Sequence, residues 1–310
     1  MSTVPLHSTR VVLDELIAIA PLARGTRQAR RRPPTATQSG GLRSRWRGRG
    51  MDFRESRIYQ PGDEIRHMDW RVTARSGKAH TKLFEEEREQ ALLLVMDLNP
   101  SMRFGTRVRF KNVQAARAAA FLAWAAGGSG DRVGALAFGG GVDAEVKPAS
   151  GRRGVLAVLR ALRDWDAAAT PDRQASLEDG LARLHRLLRP GVRAVVVSDG
   201  FQSGEGAMKR LAEINVRHEL ALVLPCDTLE LAPPPPGRYP VHLGALRGVL
   251  DFSDRAIRET WTERLSRPRA ELEAHCRRIG IRFAELETQA DLRSALAPLL
   301  GTRRAGGALP

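Results

Sequence analysis

Beyond Gln90 the chain alternates continuous apolar runs with longer segments of helical periodicity, and this alternation limits the folds open to it. Ala91 to Met96 and Ala194 to Val197 are unbroken apolar runs, and Val133 to Phe138 and Leu220 to Leu224 are nearly so. Strands without polar alternation suit a sheet covered on both faces. Helices are predicted between them at Val108 to Ala126, Gly154 to Leu162, Leu177 to Leu188, Gly206 to Ile214 and Asp254 to Ile279. In the first of these, Val113, Ala116, Ala120, Phe121 and Trp124 share one face, and Gly127-Gly128 stops it. Ile281 to Leu286 reads as a last strand, followed by a helix to Leu300. The series predicts an α/β fold over residues 91–300, doubly wound around a mostly parallel sheet. Pro233 to Pro236 marks an exposed loop, and residues 301–310 read as a flexible tail.

The first ninety residues have a different texture. Val11, Val12, Leu16, Ile17 and Ala20 recur at helical spacing before Pro21, so a short amphipathic helix is predicted there. From Pro21 to Gly50 there are nine Arg and no acidic residue, with Pro33-Pro34 and several Gly, a composition that buries little. Residues 1–50 are therefore expected to be a helix followed by a basic linker or docking arm. Residues 51–90 mix charges with Phe53, Ile58, Tyr59, Ile65, Met68, Trp70, Val72, Leu83 and Phe84 around a Pro61-Gly62-Asp63 turn. A small, mostly β module is expected, with short strands.

The chain holds 50 Lys+Arg against 35 Asp+Glu, a formal charge of +15 over 310 residues. Ten Arg against Asp14 and Glu15 put +8 of this in residues 1–50. Only Lys78, Lys82, Lys111, Lys147 and Lys209 are lysines, so the excess is arginine, as codon bias also produces. Nine Arg in the segment 21–50 can neutralise phosphates, and Trp46 between two of them can stack on a base, so a nucleic-acid-associated protein stands as the alternative reading. The longest apolar run, Ala118 to Ala126, is too short to span a bilayer, and Asp14 and Glu15 interrupt the only N-terminal segment resembling a leader. Cys226 and Cys276 are the only cysteines. A cytoplasmic setting is the expectation.

Two of the predicted strands end alike. Leu92 to Met96 runs into Asp97, and Val195 to Val197 runs through Ser198 into Asp199. Open α/β sheets collect ligands beyond the carboxyl ends of their strands, so two carboxylates delivered there can share a site. Asp97, Asn99 and Ser101 place oxygen-bearing side chains at every second position, the donor type that Mg²⁺ takes. An EF-hand loop is excluded, because Met102 and Val108 stand where it needs Gly and Glu. Asp97 can equally cap a following helix, and Asp199 can serve a turn before Gly200.

The stretch Gly50-Met51-Asp52-Phe53-Arg54-Glu55-Ser56-Arg57-Ile58-Tyr59-Gln60-Pro61-Gly62-Asp63-Glu64-Ile65-Arg66-His67-Met68-Asp69-Trp70, followed by Thr73-Ala74-Arg75, resembles the signature of the domain of unknown function 58 family. The resemblance spans roughly residues 45–300. It implies a β module ahead of a von Willebrand factor A-like domain with a metal-ion-dependent adhesion site, and association with a MoxR-type AAA+ ATPase or its client. Carried over, that site's Asp-x-Ser-x-Ser loop falls on Asp97, Asn99 and Ser101, with Asn99 in place of the usual Ser, and the late Asp falls on Asp199. The expected intermediate Thr falls on Ala175, with Ser176 and Thr170 the nearest hydroxyls, so the site is degenerate. The charged and aromatic signature residues Arg57, Asp63, Asp69 and Trp70 are candidates for partner binding, with a cross-strand ion network as the competing role and Trp70 expected as a packing anchor.

Motifs for catalysis are scarce. Gly77-Lys78 is no phosphate loop, since Ala79 follows it and Val72 stands at the first Gly position. Gly200-Phe201-Gln202-Ser203-Gly204 has the wrong spacing for a nucleophile elbow, and no His-x-x-x-His is present. The expected function is that of a non-enzymatic binding or adaptor protein, chaperone-like in its partnership with the ATPase.

Overall fold

In the computed structural model, which describes residues 7–26, 51–60, 63, 65–86, 90–243 and 246–300, the apolar runs become the centre of one six-stranded sheet. The chain divides into two compact units: Arg32–Glu89 is one, and Met1–Arg31 with Gln90–Pro310 is the other.

Helices α1 (Leu13–Ala18) and α2 (Ala20–Ala23) replace the single helix predicted over this stretch. Pro21 sits in the first turn of α2, where a missing N–H costs nothing, and it forces the break at Ile19. These helices belong to the α/β unit. Leu16 and Ile19 are 1% and 2% exposed within its core. The Leu16 carbonyl accepts from the Trp124 indole at 3.1 Å, and Val11 N–H donates to Asp166 at 2.9 Å. The rest of the proposed arm, 27–50, lies outside the described residues, as does the proposed tail 301–310.

In the smaller unit, strand β1 (Met51–Ile58) pairs antiparallel with β2 (His80–Glu86), and helix α3 (Trp70–Ser76) lies between them in sequence. The module thus carries a helix beside its two strands. Asp69 starts α3 by accepting from Val72 N–H, and Gly77 ends it at φ +68°, a left-handed conformation that suits glycine.

The α/β unit continues with β3 (Ala91–Asp97), α4 (Lys111–Gly128), β4 (Arg132–Phe138), β5 (Ala144–Ala149), α5 (Gly151–Ala168), α6 (Leu177–Leu187) and β6 (Val192–Val197). After these come α7 (Glu205–Arg217), β7 (Leu220–Cys226), α8 (Thr228–Leu231), the hairpin β8 (Arg238–Leu243) and β9 (Leu246–Asp251), α9 (Arg255–Trp261), α10 (Arg267–Ile279), β10 (Arg282–Glu287) and α11 (Leu292–Ala295). The predicted helix over Asp254 to Ile279 is α9 and α10 joined through a π-helical turn, Thr262–Ser266.

The strand order is β10-β7-β6-β3-β4-β5, parallel throughout except for β5, which runs antiparallel to β4. Leu92, Leu94 and Met96 face one core with Val113, Ala116, Val158 and Leu159, while Leu93 and Val95 face the other with Leu181, Leu184, Leu211 and Ile214. Both sides of each central strand are therefore apolar, as the unbroken runs require. Helix α4 is buried nearly all round, and its alanines let it approach the sheet closely. Strand β5 escapes sequence recognition because Glu145, Lys147 and Pro148 mark it as a solvated edge. Among the described residues no helix is long and apolar enough to cross a membrane.

Because Leu16 is core and no part of a tether, Leu16→Ala should cost about 2–5 kcal/mol in denaturant unfolding. A change within about 0.5 kcal/mol, the usual size for a surface site, would show that α1 is not integral to the unit.

Candidate functional site

The sheet order reverses between β3 and β6, whose chain continuations lead to opposite faces, and Asp97 and Asp199 sit at the carboxyl ends of those two strands. This switch point is where open α/β sheets leave a crevice. Both carboxylates are 1% exposed. Asp97 accepts from Asn99 N–H at 2.9 Å and from the Ser198 hydroxyl at 2.6 Å, the second bond tying the two strand ends together. Asp199 accepts from Phe201 N–H at 3.1 Å. Its other oxygen accepts from the Lys111 ammonium at 2.8 Å.

Lys111 opens α4 and is 0% exposed. Its ammonium also donates to Glu230 of α8 at 2.6 Å, and it lies 4.9 Å from the centre of the Phe201 ring. Burial works against that charge, but Asp199 and Glu230 outweigh it and hold the ammonium above its ordinary value. Glu230 in turn accepts from Asp227 N–H at 3.0 Å. Asp227 receives the backbone and hydroxyl of Thr106 at 2.9 and 2.6 Å and the hydroxyl of Thr288 at 3.0 Å. One polar network thereby pins the segments that follow β3, β6, β7 and β10. Burial and the neighbouring Asp199 push Asp97 up to about 7.

A divalent cation here needs converging oxygen donors. Ser101 fits, since its hydroxyl is buried with no hydrogen-bond partner. Asn99 does not, because its amide donates to the Ala175 carbonyl at 3.0 Å and accepts from Ala175 N–H at 2.8 Å. Gly139, at φ +83°, makes room for this pairing: a Cβ there would lie 2.7 Å from the Asn99 amide. Neither nearby hydroxyl substitutes for the Thr missing at Ala175. Ser176 caps α6 in a reciprocal box with Asp179, and Thr170 donates to the Gly140 carbonyl. Among the described residues, no three His, Cys, Asp or Glu are grouped to hold a metal. The fold brings Asp97, Asn99, Ser101 and Asp199 to one edge, but Asn99 is turned away and Asp199 already holds a cation, so the set does not fit Mg²⁺.

The other candidates lie in the smaller unit. Arg57 pairs with Asp63 at 2.7 Å, and Asp63 also accepts from Gln60 N–H at 2.9 Å. Asp69 accepts from the Ser56 hydroxyl at 2.7 Å, so these three residues hold their own module together. Trp70 is 66% exposed.

The family model described as protein of unknown function DUF58 matches residues 55–271. The chain belongs to the DUF58 family. Uncharacterised proteins of Mycobacterium tuberculosis and Mycobacterium bovis are each 32% identical to it over 264 residues, 84% of this chain and 81% of theirs. Among solved structures, this DUF58 chain is similar to a conserved hypothetical protein, BatB, of Bacteroides thetaiotaomicron, with 14% identity, TM-score 0.42 and coverage of 67% of this chain and 94% of that one. A manganese-loaded TRAP protein of Plasmodium vivax is similar at 20% identity and TM-score 0.31, covering 44% of this chain and 57% of that one.

Sequence reasoning missed Lys111 and Glu230. The one available signal was Lys111 itself, a rare lysine in an arginine-rich chain and placed at the start of an apolar helix.

Two outcomes follow from the network. Lys111→Met leaves two buried carboxylates facing each other and should cost about 3–5 kcal/mol, with much of it regained when Asp199→Asn and Glu230→Gln are added; full additivity in urea unfolding would refute the coupling. Asp97, raised from 3.8 to about 7, favours folding through its proton, a contribution present below pH about 4 and lost as pH rises through about 7. Asp97→Asn should therefore gain on the wild type by up to about 4 kcal/mol between pH 4 and 8, and a pH-independent difference would count against this account.

Proposed function

We propose that this chain is a non-enzymatic binding module that engages a protein partner through the carboxyl edge of its sheet. The observation that carries this reading is a cavity of about 820 Å³ beside the Asp97–Ser101 loop, lined by Phe104, Phe201, Ile257, Trp261 and Leu265, with Arg264 at its margin. Its size and apolar lining suit a buried anchor side chain of a partner. The π-helical turn Thr262–Ser266 carries Arg264 and Leu265 to the cavity, and such turns recur at functional positions. Trp261 is held in place, its indole donating to the Leu229 carbonyl at 2.8 Å and its ring meeting Phe252 edge-on at 5.0 Å.

Two polar groups beside this cavity are already engaged. Glu230 is spent on Lys111 and Asp227 N–H, and Arg103 donates to the Asp166 and Ala169 carbonyls. By family resemblance the partner is a MoxR-type AAA+ ATPase or the client it remodels, with ATP hydrolysis supplied by the ATPase.

With a purified MoxR-type ATPase as the probe, Ile257→Ser and Leu265→Ser should each weaken association about tenfold or more while leaving the thermal midpoint within a few degrees. Unchanged affinity in both variants would place the interface elsewhere. Association through this cavity should also vary little with salt, whereas phosphate binding by the segment 21–50 would fall steeply.

A further inference from the structure

Lys111 carries a full charge into a fully buried position at the start of its helix. It opens α4, where the helix dipole repels a cation, and its side chain is 0% exposed. Isolated buried charges are among the costliest groups a fold can hold, so a buried ammonium implies specific compensation. That compensation is present. Two of its three protons go to Asp199 and Glu230, at 2.8 and 2.6 Å, and Phe201 lies 4.9 Å away with Phe104 at 6.0 Å on the aromatic side.

We propose that the Lys111 ammonium is the resident cation of this sheet edge, doing from within the chain what a divalent metal does at an adhesion site of this kind. Three features on the same edge agree with it. Asp199, the carboxylate that a metal would share with Asp97, is paired with Lys111 instead. Asn99 closes onto the Ala175 backbone, so the donor and the hydroxyl that would have met an ion are replaced by a pair of direct hydrogen bonds. Glu230 adds a carboxylate from α8 that a lone dication would not need but an ammonium, with three donors in different directions, can use. A single positive charge fixed by a covalent tether cannot dissociate, so the edge keeps its shape at any concentration of divalent ions.

The inference deepens the reading of this edge as a binding site by stating that recognition there is independent of metal. It is tested on the isolated chain, so its failure is distinct from failure to bind a partner. Mn²⁺ is the probe, followed by titration calorimetry and by the thermal midpoint with Mn²⁺ or a chelator. The wild-type chain should show no Mn²⁺ uptake and a midpoint moved by less than about 1 °C. Lys111→Met, with the ammonium removed and the carboxylates left, should take up one Mn²⁺ and gain about 5 °C or more at a hundredfold excess over Kd, and adding Asp97→Asn should abolish the gain. Wild-type uptake that Asp97→Asn or Asp199→Asn removes would overturn the proposal. So would a folded Lys111→Met chain that takes up no Mn²⁺. If Lys111→Met does not fold, Lys111→Gln provides the same comparison with a neutral polar stem, and the wild-type titration still decides against the proposal if it finds that site.

Discussion

The carboxyl edge of this molecule is organised by one buried cation. Lys111 joins the first turn of α4 to the end of β6 through Asp199 and to α8 through Glu230. From Glu230 the network passes to Asp227, which takes hydrogen bonds from Thr106 and Thr288. Loops at a sheet edge have little apolar area of their own to bury, so they are held by whatever polar bonds they make with each other. Removing water from such a network strengthens every bond in it and makes every missing bond costly, which is why a lysine can be kept where an apolar residue would pack more easily.

The position of this network follows from topology. A parallel sheet needs crossover helices, and the reversal of strand order between β3 and β6 leaves the helices after them on opposite faces. The crevice between is where Asp97 and Asp199 emerge. The apolar cavity beside it is formed by residues far apart in sequence: Phe104 follows β3, Phe201 follows β6, and Ile257, Trp261 and Leu265 come from α9 and the π-helical turn. A partner meeting this edge would meet fixed loops and an apolar depression, a combination that favours tight binding because little ordering remains to be done on association.

Much of the fold was legible along the chain. The unbroken runs at Ala91 to Met96 and Ala194 to Val197 announced strands buried on both faces, and both are central strands. The hidden elements were those with mixed patterns. Strand β5 alternates like a solvated edge, β8 carries Pro240 inside it, and α3 lies within a segment that read as mostly β. Legibility of the site was narrower. The strand-end position of Asp97 and Asp199 was readable, whereas the turning of Asn99 onto Ala175 joins residues 76 apart, and no local pattern reports it. Arg57, Asp63 and Asp69 looked equally suited to an exterior partner and to each other, and Arg57 pairs with Asp63 while Asp69 accepts from Ser56 within the module.

The sequence by itself determined the doubly wound architecture, the two carboxylates at the ends of central strands and the membership of the family, because burial and secondary structure leave periodic marks within a few residues of one another. Only the tertiary structure decided what those carboxylates face. Lys111 lies 88 residues from Asp199 and 119 from Glu230, and a lysine at the head of a helix reads as a solvated charge until the sheet closes around it. The reason is physical: electrostatic partners in a folded chain are chosen by proximity in space within a low-dielectric interior, and sequence distance carries no record of that choice.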